Sequence, residues 1–268
     1  MIPKVIWQTY KDDFKSMSVQ AQRCAATWKK NNRDYTYKYF NDKEAAEIIL
    51  KDFGQEWHDL FINVPIGVVR GDIFRYLIIY KYGGVYSDID TICNMPISEW
   101  IDGPIDERKE YDAIFSVELF KNNEYMPHRI CQWTFAAAPG LEIFKNVIDK
   151  VKVKLQTIDW NSVTDVNHAV HFVSGPDIFS LAILEEMGFA KTVHDEIVVD
   201  PKVNLLTNVE YVNNSEYAIN NNIFIYGNKH SGLFNKRAVK HMYAGNSEHW
   251  NDGVYVQWKK QTIENNNT

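Results

Sequence analysis

The segment 70–91 constrains the fold of this 268-residue chain more than any other part of it. Its sequence is RGDIFRYLIIYKYGGVYSDIDT, and the first half predicts a helix that ends at Gly83 and Gly84, because glycine readily adopts the conformation that terminates helices. A short apolar strand follows and carries Asp88 and Asp90 at its end. Residues two apart in a strand point to the same face, so we expect both carboxylates on one side of the sheet.

Two carboxylates presented together, where a strand opens into a loop, suit a hard divalent cation. A D-x-D pattern alone is weak support, since a chain with this much aspartate contains about one by chance. The preceding helix adds Asp72 and Arg75, which are three residues apart and therefore share a face. These two residues are interpreted as an ion pair, as ligands for hydroxyl groups beside the cation, or as both.

Charge and cysteine content exclude several classes of protein. A net charge of −6 argues against a nucleic-acid partner and gives no support for docking to an anionic membrane. The 3 cysteines have no C-x-x-C spacing, so we expect reduced thiols rather than a disulfide framework or a zinc site. The sequence shows no signal peptide and no apolar run of membrane-spanning length. These features predict a soluble, cytoplasmic protein without a membrane span.

Strand and helix patterns alternate along the chain, which predicts an α/β fold with one mainly parallel or mixed sheet flanked by helices. Asn41, with Glu44 three residues later, predicts a capped helix start. We expect one domain over residues 1–258 and a flexible tail over 259–268. The predicted strands are Lys4–Thr9, Tyr35–Phe40, Ala113–Val117, Trp133–Ala138, Ile197–Val199 and Ile223–Tyr226, and the other predicted helices include Val19–Lys30, Leu141–Leu155 and Ile178–Met187.

The central segment VRGDIFRYLIIYKYGGVYSDIDT closely resembles the DXD region of the GT-A glycosyltransferases. Within them it is most similar to glycosyltransferase family 32, the Och1-type mannosyltransferases, which are related to the glucosylating bacterial toxins. Four further segments resemble the same family in the same order, so the resemblance covers most of residues 2–250. They are IPKVIWQTY, RICQWTFAAAPGLEIF, HFVSGPDIFSLAIL and HMYAGNSEHW.

This resemblance implies a GT-A fold, a nucleotide diphosphate sugar donor and a divalent ion, Mn²⁺ or Mg²⁺. It implies that Asp90 ligates the ion directly, and that Asp88 ligates it through water or contacts ribose or sugar. His241 matches the third ligand, but the C-terminal motif departs from the family pattern, which leaves Asn246 or His249 as alternatives. Asp72 and Arg75 are then the residues expected to bind the hydroxyl groups of the sugar.

Further site residues follow from the matching segments, each with a structural alternative. Trp7 is expected to stack on the nucleotide base or to be a core tryptophan, and Tyr86 to touch the donor or to be a core tyrosine. Asp177 is interpreted as a helix N-cap. The remaining expected positions are Gln8 and Thr9 near the base, and Gly175 and Pro176 on the acceptor side.

The predicted function is a metal-dependent retaining glycosyltransferase that moves a hexose to a hydroxyl of a glycan or other acceptor. The match favours GDP-mannose as the donor and leaves a UDP-hexose open. A non-catalytic sugar-nucleotide-binding module of the same fold is the main alternative. A phosphatase of the haloacid dehalogenase type is a weaker alternative, because Ile92 occupies the fifth position of its D-x-D-x-[TV] motif. The absence of an anchor suggests a bacterial or viral protein acting in a cytosol.

Overall fold

A computed structural model describes residues 1–100, 111–116, 129–186, 188, 190–193, 196–199, 217–219, 223–226 and 238–242. The helices are α1 (Val19–Asn31), α2 (Asp42–Phe53), α3 (Gln55–Asn63), α4 (Gly67–Tyr82), α5 (Glu142–Thr157), α6 (Val166–Val173) and α7 (Pro176–Glu186). The strands are β1 (Val5–Thr9), β2 (Thr36–Phe40), β3 (Gly84–Ser87), β4 (Thr91–Cys93), β5 (Ala113–Ser116), β6 (Thr134–Ala137), β7 (Ala190–Val193), β8 (Glu196–Val199), β9 (Tyr217–Ile219), β10 (Ile223–Tyr226) and β11 (Val239–His241).

The central sheet has 7 strands in the order β2-β1-β3-β6-β5-β10-β9. Strands β2, β1, β3, β5 and β10 run in one direction, whereas β6 and β9 run against them. The predicted α/β class with a mainly parallel, mixed sheet is therefore confirmed. Two small antiparallel pairs, β4 with β11 and β7 with β8, lie outside this sheet and were not predicted.

Alternating side chains of the central strands supply two hydrophobic cores, one on each face of the sheet. Trp7, Tyr86 and Phe135 belong to the larger core, together with the apolar side chains of α4, α5 and α7. Their neighbours along the strands, including Ile6 and Val85, belong to the opposite core. The sheet is thus covered on both sides, as expected for a parallel sheet.

Helix α4 is the central helix of the larger core. It begins at Gly67, shortly after Pro65, and ends where Gly83 adopts a φ of 63°. Asp72, Ile73 and Arg75 are among its buried residues, so apolar and charged side chains of this helix are both removed from water. The predicted helix end and the predicted capping box of Asn41 with Glu44 at the start of α2 are both confirmed.

Several elements were not predicted from the sequence. They are α6 and the strands β4, β7, β9 and β11, of which all but α6 are short. Residues 243–268 lie outside the described residues, so the single domain over 1–258 and the tail over 259–268 stay predictions. Among the residues that the structure describes, no helix combines the length and the apolar character that crossing a membrane requires.

Gly84 permits the close approach of β1 and β3, and a substitution at this position tests that role. Its φ is 106°, and an added Cβ would lie 2.6 Å from the backbone oxygen of Val5. Gly84→Ala should therefore lower the free energy of unfolding by about 2–5 kcal/mol, combining left-handed strain with overpacking. Urea denaturation followed by circular dichroism measures the change.

Gly140→Ala is the matched control, because Gly140 has a φ of 73° with nothing within 4 Å of the added Cβ. This variant should lose only about 1–2 kcal/mol from backbone strain. An equal loss of unfolding free energy in the two variants would contradict the interpretation that the close approach of β1 and β3 requires glycine at position 84.

Candidate functional site

Asp88 and Asp90 lie in the turn between β3 and β4. Strand β3 ends at Ser87, so the expectation that both carboxylates share one face of a strand is wrong. The turn is closed by Thr91, whose backbone N–H and Oγ1 both donate to the Asp88 carbonyl, at 3.2 and 2.6 Å. Ile89 is buried between them at 7% exposure. The carboxylates therefore converge because the chain turns, not because a strand alternates.

His241 reaches this turn through the pairing of β11 with β4, in which it lies opposite Thr91. The N–H of Met242 donates to the Asp90 carbonyl at 3.0 Å and extends the contact. Nε2 of His241 lies 3.5 Å from Oδ1 of Asp90 and 3.9 Å from Oδ2 of Asp88. The structure thus brings His241, the residue that matched the third metal ligand in the sequence, close to the two carboxylates. The alternatives Asn246 and His249 lie outside the described residues.

The ligand atoms of Asp88, Asp90 and His241 all lie within 4.8 Å of one another. Two carboxylates and one imidazole form a donor set that suits Mn²⁺ well and Mg²⁺ adequately. The ring of Trp133 packs edge-on against the imidazole, with ring centroids 5.0 Å apart. These three side chains can therefore hold a divalent ion with little rearrangement.

Asp88 is anchored through one of its two carboxylate oxygens. Oδ1 accepts hydrogen bonds from Arg75 at 2.9 Å and from the Tyr86 hydroxyl at 2.8 Å. Oδ2 points toward His241. The Asp88 carbonyl also accepts a hydrogen bond from Gln8 Nε2 at 2.9 Å. The protein thereby fixes the carboxylate and leaves one oxygen directed at the candidate metal position.

Asp72 and Arg75 form the expected ion pair, with 3.3 Å between Nη2 and Oδ1. Their side chains are only 3% and 6% exposed. Burial raises the pKa of Asp72 to about 7, against the lowering effects of the Arg75 charge and the hydrogen bond from Ser174. Burial alone would lower the pKa of the Arg75 guanidinium, but its acidic and phenolic neighbours, Asp88 foremost, outweigh that effect and raise it.

Trp7, Gln8 and Tyr86 support the site from within the fold. The Trp7 ring is 2% exposed and its Nε1 donates to the Gly83 carbonyl at 2.8 Å, which matches the alternative of a core tryptophan rather than a base-stacking one. Tyr86 is likewise buried in the core, and only its hydroxyl reaches the site. In this arrangement Gln8 holds the DXD turn.

Thr9 and the turn before α7 make contacts of their own within the fold. Thr9 Oγ1 donates to the Phe40 carbonyl at 2.9 Å and joins the ends of β1 and β2. Gly175 and Pro176 lead into α7, where a Cβ on Gly175 would meet the Val170 carbonyl oxygen at 2.8 Å. Their place on an acceptor side stays a prediction.

Asp177 does not cap α7, so its interpretation as an N-cap is wrong. It lies inside the first turn of that helix and is 2% exposed. Its Oδ1 lies 2.7 Å from Nη2 of Arg129, and its Oδ2 lies 3.8 Å from Nδ1 of His171. A buried ion pair explains the acidic residue at this position.

Gln132 and Ser174 contact the site residues and were not singled out from the sequence. Gln132 Nε2 donates to Oδ1 of Asp72 at 3.0 Å, and Ser174 Oγ donates to Oδ2 at 2.7 Å. Both residues lie in segments that the family resemblance covers. That resemblance was the one signal in the sequence that pointed to them, because a lone buried amide or hydroxyl has no spacing pattern.

Comparisons with known proteins agree with this geometry. Residues 18–105 match the family described as the glycosyltransferase sugar-binding region containing the DXD motif. The initiation-specific alpha-1,6-mannosyltransferase of Schizosaccharomyces pombe is 30% identical over 200 residues, which cover 70% of this chain and 49% of that protein. The protein of the same name from Candida albicans is 30% identical over 162 residues, covering 56% of this chain and 42% of that protein.

A third relative carries a different name. Inositol phosphoceramide mannosyltransferase 3 of S. pombe is 33% identical over 105 residues, covering 38% of this chain and 28% of that protein. The chain therefore spans about half, or less, of the length of the curated relatives that it matches. The part of the chain that contains both carboxylates of the turn thus matches the sugar-binding region of glycosyltransferases that contains the DXD motif.

Proposed function

We propose that this chain is a divalent-metal-dependent glycosyltransferase that moves a hexose from a nucleotide diphosphate sugar to a hydroxyl group. The convergence of Asp88, Asp90 and His241 within 4.8 Å carries the proposal. It lies at the turn of the DXD region, where the family places its sugar-binding function. A divalent ion at that position would bind the diphosphate of a nucleotide sugar.

Asp90, Oδ2 of Asp88 and Nε2 of His241 would hold the ion, which is Mn²⁺ by preference or Mg²⁺. When bound, such an ion acts as a Lewis acid that offsets negative charge on diphosphate oxygens. Arg75 and Tyr86 keep Asp88 oriented by binding its Oδ1. The chain thus holds the carboxylate in place before substrate arrives, so little reorganisation is needed during the reaction.

In the proposed reaction, the bond between the anomeric carbon and the leaving phosphate oxygen breaks while the acceptor oxygen bonds to that carbon. The proton of the acceptor hydroxyl passes to the leaving diphosphate. Retention at the anomeric carbon, through displacement on the same face, is part of the proposal. Contacts of Asp72 and Arg75 with sugar hydroxyls require the residues that cover them to rearrange, because the two side chains are 3% and 6% exposed.

A mannosyl donor, GDP-mannose, is favoured because the relatives named above are mannosyltransferases. A UDP-hexose is the second choice. The acceptor is proposed only as a hydroxyl of a glycan or another molecule, since the relatives' names point to different acceptors. A cytosolic site of action in a bacterium or an infected host stays a prediction.

The donor is tested by incubating the protein with Mn²⁺ and each of a panel of nucleotide sugars, and measuring release of the nucleoside diphosphate. GDP-mannose should be hydrolysed or transferred fastest, and omission of the ion should abolish turnover. Preference for a UDP-hexose would overturn the mannosyl assignment. Binding of nucleotide sugar without any turnover would favour the non-catalytic module.

Asp90→Ala should lower kcat by about 10²- to 10³-fold, the loss typical of removing one preorganised charge-stabilising group. Donor turnover at saturating Mn²⁺ measures the effect. Asp149→Ala is the control, since Asp149 is an exposed carboxylate on α5 that pairs only loosely with Lys145, at 3.6 Å. Turnover near the wild-type value in Asp90→Ala would exclude the proposed role.

The third ligand is tested by titrating Mn²⁺ alone into the protein in a calorimeter. His241→Ala should weaken Mn²⁺ binding by at least about 10-fold, since even the loss of a residue that only orients a ligand costs 10- to 100-fold. His249→Ala and Asn246→Ala serve as comparisons and should bind Mn²⁺ as the wild type does. A larger loss of Mn²⁺ affinity in either of these variants would identify the substituted residue, rather than His241, as the third ligand.

A further inference from the structure

Gln132 lies where three segments of the fold meet around the buried ion pair of α4. Its backbone carbonyl accepts a hydrogen bond from Arg75 Nη1 at 3.0 Å. Its side-chain Nε2 donates to Asp72 Oδ1 at 3.0 Å and to the Ser174 carbonyl at 3.1 Å, and it also contacts the Tyr76 hydroxyl. Gln132 is 6% exposed, so water cannot replace these partners.

The orientation of the Gln132 amide is set by its neighbours. The Ser174 carbonyl and the ionised Asp72 carboxylate can only accept hydrogen bonds, so the NH₂ group faces both of them. A carbonyl oxygen turned toward the same groups would place acceptor against acceptor at both buried contacts, which is costly. The amide therefore has one favourable orientation, and it acts as a donor to Asp72.

The turn between α6 and α7 completes the arrangement around Asp72. Ser174 Oγ donates to Asp72 Oδ2 at 2.7 Å, while Tyr76 donates to the Ser174 carbonyl at 2.7 Å. Both oxygens of Asp72 are thus held by donors from outside its own helix. Asp72 in turn pairs with the same Nη2 of Arg75 that reaches Asp88 at 2.9 Å.

We propose that Gln132 is a positioning residue for the proposed transfer reaction, on which this inference rests. It holds both members of the buried pair: its carbonyl fixes Arg75 and its amide fixes Asp72. Arg75 then fixes Oδ1 of Asp88, and the other oxygen of Asp88 is directed at the candidate metal position. Gln132 acts through these residues, and its own contacts are with Asp72, Arg75, Tyr76 and Ser174.

Gln132→Glu tests the proposal with nearly the same side-chain volume. The introduced carboxyl faces Asp72 and the Ser174 carbonyl, with Arg75 and Tyr76 beside it and Asp88 beyond Arg75. Deprotonated, it repels Asp72 and displaces the pair, so kcat at pH 8 should fall about 10²-fold, the cost of a misplacement of about 1 Å. The Mn²⁺ affinity should fall less than in His241→Ala, because Gln132 acts on the candidate ligand Asp88 only through Arg75.

The pH dependence separates positioning from a general loss of structure. Burial beside Asp72 raises the folded-state pKa of the introduced carboxyl above its unfolded value of about 4.3. Its protonated form can donate to Asp72, so stability is retained at low pH and lost as pH rises through the folded-state pKa. Asp72, whose pKa burial raises to about 7, titrates over this range in the wild type as well, so the two proteins are compared at each pH. Relative to wild type, both kcat and the thermal unfolding midpoint of Gln132→Glu should recover as pH falls from 8 to 5.5.

Ser180→Ala is the matched control. Ser180 is fully buried, and its Oγ accepts from the Ile130 N–H at 2.8 Å and donates to the Pro176 carbonyl at 2.6 Å. It thus joins the same two segments without touching Asp72 or Arg75. Ser180→Ala should lower the unfolding midpoint at every pH and leave kcat and its pH profile unchanged.

Wild-type kcat in Gln132→Glu, or a stability deficit that is the same at pH 8 and pH 5.5, would overturn the inference. If that variant does not fold, Gln132→Met replaces it: the same loss of kcat is expected at every pH, and wild-type kcat would again overturn the inference. Absence of donor turnover in the wild-type protein would instead overturn the proposed function. The pH dependence of stability would still decide whether Gln132 holds the pair.

Discussion

The buried guanidinium of Arg75 is the interaction on which the site depends. It joins α4 to the DXD turn, through 2.9 Å to Asp88 and 3.3 Å to Asp72, and to the segment before β6 through the Gln132 carbonyl. A buried charge is tolerated only when it is paired and hydrogen-bonded. Each partner of this cation is therefore constrained in position, and the candidate metal ligand Asp88 is held by the buried core as well as by its own turn.

Features that depend on short spacings could be predicted from the sequence. The capping box at Asn41, the end of α4 at Gly83 and the shared face of Asp72 and Arg75 each involve residues within one helical turn, where backbone geometry leaves few alternatives. The convergence of the two DXD carboxylates was predicted for the wrong reason. Strand β3 stops before them, and a hydrogen-bonded turn brings them together instead.

Features that depend on long-range packing could not be predicted in this way. Gln132 and Ser174 reach Asp72 from 60 and 102 positions away along the chain. Their hydrogen bonds follow from how α4 packs against β6 and α7, which no local pattern encodes. The role of Trp7 could not be predicted either. An aromatic residue near a strand end has the same sequence pattern whether it stacks on a ligand or packs in the core, where Trp7 lies. The resemblance to a family supplied His241, since periodicity alone does not relate β11 to β4.

The pairing of β11 with β4 has a consequence for the order in which the protein matures. A ribosome makes β4 long before β11, so a nascent chain carries both DXD carboxylates while the imidazole that completes the proposed metal site is still missing. An ion that binds only the completed site adds its binding free energy to the docking of β11. At 100 times its Kd this contribution is about 2.7 kcal/mol. The same ion would then act in the reaction and stabilise the docking of β11. A chain that is synthesised only as far as β4 would lack the complete site and would be inactive.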